Sequence, residues 1–405
     1  MTQEIPGELL LDPQVLDDPY PFYRRLREEA PVWGVPGSDV FTVSTFELVA
    51  EAASRVEDFS SNMKFLLYRD SAGLPGRLDF GDGGQALATA DPPLHAIHRD
   101  AVFPELVAKR METLEPDILE LADGLVTGAL DSGSVEFMTA IGNIVPITMI
   151  SRLVGFRNSN LGELWTSAVN GTRLVGSTLA LDDLLESASG MEGILLWIAD
   201  QLSVALEEPS EDLLGAVANA VKSGTLAESE AIGILTTLLS AGGETTTSLL
   251  GNAVRMLAER QDLQDHLREN PEQIATFAEE ALRIESPFRY MMRFTPRDTI
   301  LGGTAIPANS TVLLLWGSAN RDTNEFERPD EIDLERRIPR RHVAFGRGIH
   351  HCVGAPLARV EARNVLRVLL ERTSKISLDP KGSPRWVRSL LVRRHEELPV
   401  RLEAR

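Results

Sequence analysis

The sequence predicts a mainly α-helical protein with small β-sheets. Three observations predict it: apolar residues recur at helical spacing almost without interruption from about residue 92 to 286, β-like runs are short and lie on either side of that body, and the composition, 43% hydrophobic and 25% charged, supports a sizeable core. The 405 residues allow two or three domains, but no linker divides them, so a single domain over 1–405 is expected.

Residues 1 to 70 mix the amphipathic stretch Tyr20 to Ala30 with β-like runs such as Val40 to Val43, so that the β-containing N-terminal part spans about residues 30 to 70. Five glycines and Pro75 make Ser71 to Gly84 a mobile loop, and Asp91-Pro92-Pro93 ends it as a helix start. The α-rich body from about 92 to 286 is broken by Gly, Asn, Ser or Pro rather than by strands. Thr225-Leu226-Ala227-Glu228 reads as a capping box opening an unusually apolar helix to about Arg260, roughly 50 Å long. Asn270-Pro271 opens a further helix that Pro287 closes. Short β runs follow at Thr304 to Pro307, Thr311 to Leu315 and Glu331 to Leu334, and after Gly354 the chain is helical to about Thr373.

Forty Lys and Arg against sixty Asp and Glu give a net charge of −20, which argues against nucleic acid or anionic lipid as a partner. The N-terminus lacks a basic start and an apolar run, and no membrane anchor is found; a cytoplasmic protein is expected. Cys352 is the only cysteine, which excludes intrachain disulfides and sites needing several thiolates.

That cysteine lies in the loop 345–354, Phe345-Gly346-Arg347-Gly348-Ile349-His350-His351-Cys352-Val353-Gly354, just before a helix. Glycines permit a tight turn, and free N–H groups at a helix entrance would favour thiolate. A dinucleotide loop lacks its third glycine and a βαβ frame, three adjacent residues rarely converge on zinc, and a small apolar residue at a turn is the plain alternative.

The pattern Phe-Gly-x-Gly-x-His-x-Cys-x-Gly resembles the haem-binding loop of the cytochrome P450 family, and Ala241-Gly242-Gly243-Glu244-Thr245-Thr246 is similar to its oxygen-activation segment. The resemblance spans essentially the full chain from Asp18-Pro19-Tyr20. It implies an α-helical prism with haem b between a long distal helix and the cysteine-loop helix, with Cys352 as axial iron ligand. Phe345, Gly346, Ala241 and Gly242 would border the cofactor. Two glycines in a buried helix cost roughly 1 kcal/mol each against alanine, and a flat cofactor against the helix would account for them. Gly243 occupies a variable position and would alter groove shape or water access. Thr245 and Glu244 would be catalytic, the first hydrogen-bonding bound oxygen or water, the second relaying protons.

Further residues follow the family's order. Glu280 and Arg283 match its structural Glu-x-x-Arg pair, with Glu279 a competitor at i, i+4. His95 and Arg99, Arg293 and His350 match its four haem-propionate partners; His98 lies off that face. Candidate substrate walls, by analogy, are Phe65 to Leu87, Leu161 to Leu206, Ala241, Phe288 to Met292 and Leu390-Leu391.

The implied activity is a monooxygenase inserting one atom of O2 into a hydrophobic small organic substrate. Neither a flavin nor an iron–sulfur segment is present, so a separate ferredoxin and NAD(P)H-dependent ferredoxin reductase would supply electrons to a monomer. Eight arginines between Arg336 and Arg367 against Glu361 alone form a basic patch for an acidic ferredoxin, with roughly a third of them expected to be spent on other partners. A peroxide-driven peroxygenase and a non-catalytic haem ligand-binding or sensor protein are the alternatives.

Overall fold

The computed structural model describes residues 5–81, 84–107, 111, 113–208 and 210–405. Its framework is the helix Glu228–Glu259, 32 residues and about 48 Å long at 1.5 Å per residue. The buried side of this helix packs on Ile144–Val154 and Leu161–Leu174 at one flank and on Ile274–Ile284 and Ala355–Arg372 at the other. Apolar residues at three- and four-residue spacing on each partner create one large core around it. Leu250, Val254 and Leu257 are wholly buried, each contributing about 2 kcal/mol of apolar transfer. Where the helix passes Met138, only glycine fits: a Cβ at Gly251 would lie 2.7 Å from the Met138 sulfur.

The capping box is displaced from its expected position. Ala227 is the N-cap, and its N–H donates to the Glu230 carboxylate at 2.8 Å, while the Thr225 hydroxyl pairs with Ser223. The amphipathic stretch near the N-terminus is the helix Tyr20–Glu29, and the helix after Gly354 runs Ala355–Arg372.

The main sheet has four strands in the order Val32–Gly34, Val40–Val43, Thr311–Leu314, Met291–Phe294. Its two central strands are parallel, with Val40 opposite Thr311, and Arg293 opposite Val312 hangs from the last strand. Thr304–Ile306 pairs with Thr299–Leu301 in a small hairpin.

Three sequence expectations fail here. The glycine-rich loop contains a strand, Pro75–Asp79, paired in a hairpin with Phe65–Arg69; residues 82 and 83 of that loop lie outside the described residues. Ser134–Glu136 interrupts the helical body as a strand on Pro399–Ala404. Glu331 to Leu334 forms no strand, because its backbone is spent elsewhere: the Asp333 N–H donates to Glu280 and the Glu331 carbonyl accepts from Arg283.

Candidate functional site

The cysteine loop turns on two glycines in the left-handed region, Gly346 (φ 70°) and Gly348 (φ 73°). Side chains are also excluded by space: a Cβ on Gly348 would lie 2.9 Å from the Ala53 carbonyl oxygen, and one on Gly346 would lie 3.2 Å from the Trp316 ring. The Cys352 N–H donates to the Phe345 carbonyl at 2.8 Å, closing the loop beneath the helix Ala355–Arg372. The exposed face of Cys352 is turned to a cavity, not to bulk water. Burial pushes the thiol's pKa up, and the N–H groups of Gly354 and Ala355 only partly offset this. The helix-entrance N–H groups pull the thiol down as expected, but burial outweighs them.

The facing wall is the long helix, which presents Ala241, Gly242, Thr245 and Thr246 to the cavity. The Thr245 hydroxyl donates to the Ala241 carbonyl at 2.6 Å, leaving its lone pairs to the cavity. Neighbouring helices supply a second reason for the glycine pair besides the expected one. A Cβ at Gly242 would meet Ile150 at 3.1 Å, and one at Gly243 would meet Ile147 at 3.2 Å and Ala168 at 3.3 Å. Packing between helices is tight at both positions; Gly242 also lines the cavity, whereas Gly243 is buried away from its lining.

Glu244 also departs from expectation. It is 2% exposed and is absent from the cavity wall. One carboxylate oxygen accepts from Arg394 Nε at 2.8 Å and the other from the Thr172 hydroxyl. Burial raises its pKa against the opposing pull of Arg394 and Thr172. Glu244 thus lies outside the cavity lining, with one oxygen bonded to Arg394 and the other to Thr172.

Along one edge of the cavity four basic side chains converge. His95 and Arg99 project from the helix Leu94–Val102, Arg293 from the sheet edge and His350 from the cysteine loop. The rings of His95 and His350 are 4.2 Å apart. Arg99 donates to the His351 carbonyl at 2.9 Å, while Arg293, among the described residues, donates only to the Met292 carbonyl next to it, at 2.8 Å. The His350 Nε2 is buried without a partner among the described residues. Burial, then Arg293, His95 and Arg99, push the His350 pKa down to about 3, and burial brings Arg293 down to about 10. Such a cluster calls for a ligand with negative groups at this edge. An apolar body suits the remainder, since Leu87, Leu238, Leu249, Phe288 and Met291 line it.

Beneath the loop lies a buried electrostatic brace. Glu280 takes two bonds from Arg283 at 2.8 Å and two from Arg336, at 2.9 and 3.4 Å. Glu279 does not compete for Arg283: it accepts from Arg359 at 2.6 Å and pairs with His342 at 3.0 Å, and Arg359 lies over the Phe345 ring. Glu279 is thus the carboxylate tied to the cysteine loop, which the spacing argument left aside. Six of the eight arginines in the basic patch, 336, 340, 341, 359, 363 and 367, pair with carboxylates, about twice the share expected.

Several predicted walls are not walls. Leu390 and Leu391 are buried in a separate apolar cluster, and no residue from Leu161 to Leu206 lines the cavity. Ile150 and Leu153 do line it but gave no sequence signal, being ordinary aliphatics at helical spacing.

A family model described as Cytochrome P450 matches residues 200–391. Cytochrome P450 144 of Mycobacterium tuberculosis is 40% identical over 391 residues, covering 96% of this chain and 90% of the relative. The 6-deoxyerythronolide B hydroxylase of Saccharopolyspora erythraea is 32% identical over 95% of this chain and 96% of its own. The solved structure of CYP109Q5 from Chondromyces apiculatus superposes with a TM-score of 0.83 at 29% identity over 98% of both chains. Relatedness that runs nearly end to end, with a matching helix-rich fold, establishes that this chain belongs to the cytochrome P450 family.

Proposed function

We propose that this cytochrome P450 monooxygenase binds haem b with the Cys352 sulfur on one face and the long helix over the other, and oxidises a hydrophobic small molecule there. The observation that carries the reading is the basic edge formed by His95, Arg99, Arg293 and His350, where the His350 Nε2 is buried without a partner among the described residues, set beside a cavity-facing thiol. Two haem carboxylates would satisfy that edge, and iron would hold the thiolate that burial opposes. The bound haem supplies the chemistry by which two electrons and two protons accompany insertion of one oxygen atom, the other leaving as water.

The chain's own residues then have definite tasks. Phe345 and Arg359 hold the loop so that Cys352 faces the cavity, and Glu279 holds Arg359. Leu238, Phe288 and Met291 exclude water from the substrate end. Thr245 holds a proton at Oγ1 and can pass it to a cavity water while regaining one from the next. Thr245→Ala is expected to retain haem but divert reducing equivalents to peroxide; unchanged coupling would remove Thr245 from the reaction.

Electrons are assigned to an external ferredoxin with its NAD(P)H-dependent reductase, docking at the cleft below the cysteine loop. Arg340, Arg341 and Arg347 line that cleft, and Arg340 is 71% exposed at its side chain. The proposed substrate is bulky and apolar, in keeping with similar proteins whose structures hold erythromycin B or testosterone. No helix among the described residues is long and apolar enough to cross a membrane, and a monomer is proposed.

Carbon monoxide added to the reduced protein tests the reading: a red-shifted Soret band typical of sulfur ligation is expected, and its absence from fresh protein overturns it. One observation favours a second reading. Because Glu244 is tied to Arg394 and Thr172, the acid–alcohol pair that argued against a peroxygenase is not assembled at the cavity. Turnover with peroxide faster than with ferredoxin and reductase would establish that alternative.

A further inference from the structure

We propose that His98 is a positioning residue that holds the turn Leu87–Thr89 in place and so sets the shape of the substrate end of the cavity. The inference rests on that cavity being the haem and substrate site. Leu87 is 4% exposed and sits at φ 47°, a conformation that bulky residues avoid unless their surroundings impose it. Leu87 and Ala88 both line the cavity. What holds the strained residue is His98, which is wholly buried and accepts the Leu87 N–H at Nδ1, 3.1 Å away.

That bond fixes the proton of His98 on Nε2, which has no hydrogen-bond partner and faces the Glu230 carboxylate at 3.7 Å. The same carboxylate caps the long helix through Ala227 N–H. The turn rests on that helix at Gly233, where a Cβ would come within 2.9 Å of the Ala86 methyl. The Thr89 hydroxyl accepts from Ala86 N–H at 3.0 Å, closing the turn on itself. His98 therefore joins three parts: the helix bearing His95 and Arg99, the roof of the cavity, and the start of the facing helix. With the acceptor gone, Leu87 would relax toward negative φ and carry its side chain and Ala88 with it.

The test compares wild type, His98→Phe, His98→Leu and His98→Asn as purified haem proteins. Asparagine can present an oxygen near the position of Nδ1, whereas phenylalanine keeps the ring but offers no acceptor. Hydrogen exchange is the first measurement. The Leu87 amide should be protected in wild type and in His98→Asn, and should exchange about ten-fold faster in His98→Phe. The second is spectral titration with 4-phenylimidazole, which must fill the space beside Leu87, and with imidazole, which need not. The 4-phenylimidazole dissociation constant should shift by about five-fold or more in His98→Phe, imidazole by less than about two-fold, and neither in His98→Asn.

An unprotected Leu87 amide in wild type overturns the proposal even if no variant folds. Unchanged exchange or an unchanged azole ratio in both His98→Phe and His98→Leu does so as well, as does failure of asparagine to rescue. A wild-type protein without the thiolate carbon monoxide band would instead sink the functional reading, and the exchange measurement would stand apart from it.

Discussion

Arg283 and Arg293 lie ten positions apart and both are buried, at 0% and 4% exposure, yet the chain treats them in opposite ways. Arg283 spends its donors within the protein: two bonds to Glu280 at 2.8 Å, and others to the carbonyls of Asn320, Pro329 and Glu331. Among the described residues Arg293 has one bond, to the carbonyl of its neighbour, and the charge of Asp91 to support it. A buried guanidinium with a complete set of partners is a structural joint. A buried guanidinium with unused donors, beside two histidines and another arginine, is a place for something negative.

The largest effect should come from breaking the complete cluster. Glu280→Ala leaves Arg283 and Arg336 without their shared carboxylate and the Asp333 N–H without its acceptor. Removing one partner of a buried pair costs about 3–5 kcal/mol, against total stabilities of about 5–15 kcal/mol. Soluble, folded protein should therefore fall sharply, measured by yield and by circular dichroism melting. A variant melting within a few degrees of wild type would show that the brace is dispensable.

Arg293→Leu should do the reverse to the protein alone. It removes an unsatisfied charge from an apolar setting, so apoprotein stability should hold or rise, while haem affinity falls about ten-fold or more through the lost charge-assisted bonds. Haem titration of the apoprotein together with its melting curve separates the two. Lower apoprotein stability with unchanged haem binding would place Arg293 with Arg283 as a joint.

This contrast also explains what could be read before the fold was seen. The ten-residue loop around Cys352 and the order of His95, Arg99, Arg293 and His350 are local patterns, and the structure brings Cys352, His95, Arg99 and His350 to one cavity, with Arg293 outside its lining but near enough to lower the His350 pKa. The long helix was legible because its apolar periodicity is uninterrupted. Partner choice was not legible. Nothing in the spacing tells Glu279 to leave Arg283 for Arg359 and His342, or sends Glu244 to Arg394 in a segment 150 residues away. Gly242 and Gly243 suggested a cofactor because their small size was visible, whereas the Ile147, Ile150 and Ala168 side chains that pack closely on them were not. Glu331 to Leu334 had the composition of a strand but gave its backbone to a charge pair.

Glu279 offers a test of intermediate size through pH. Burial alone would raise its pKa, but hydrogen bonds from His342 and Arg359 prevail and hold it at about 2, below the ordinary 4.5. A carboxylate depressed on folding stabilises the protein above its unfolded pKa and loses that contribution as pH falls through the folded value. The shift corresponds to roughly 3 kcal/mol. Glu279→Gln should therefore be less stable than wild type near neutrality, with the gap closing between about pH 4.5 and pH 2 in denaturant titrations. A gap independent of pH would assign the loss to packing around Phe345 rather than to charge.

The smallest effect concerns the glycine pair and the facing helix. At Gly243 an added Cβ meets Ile147 Cδ1 at 3.2 Å and Ala168 Cβ at 3.3 Å. The first contact is the end of a flexible side chain and can yield; the second is a methyl fixed to its own backbone. Alanine would gain about 1 kcal/mol of helix propensity and lose about 1–3 kcal/mol to crowding, leaving a net cost of about 0–2 kcal/mol. Because Gly243 does not line the cavity, Gly243→Ala should lower the melting temperature by a few degrees at most, with haem content and azole affinity intact. Loss of haem from this variant would mean that the two helices, pushed apart by a methyl group, transmit the strain to the cavity through Gly242 and Ile150, and that the glycines serve the cofactor after all.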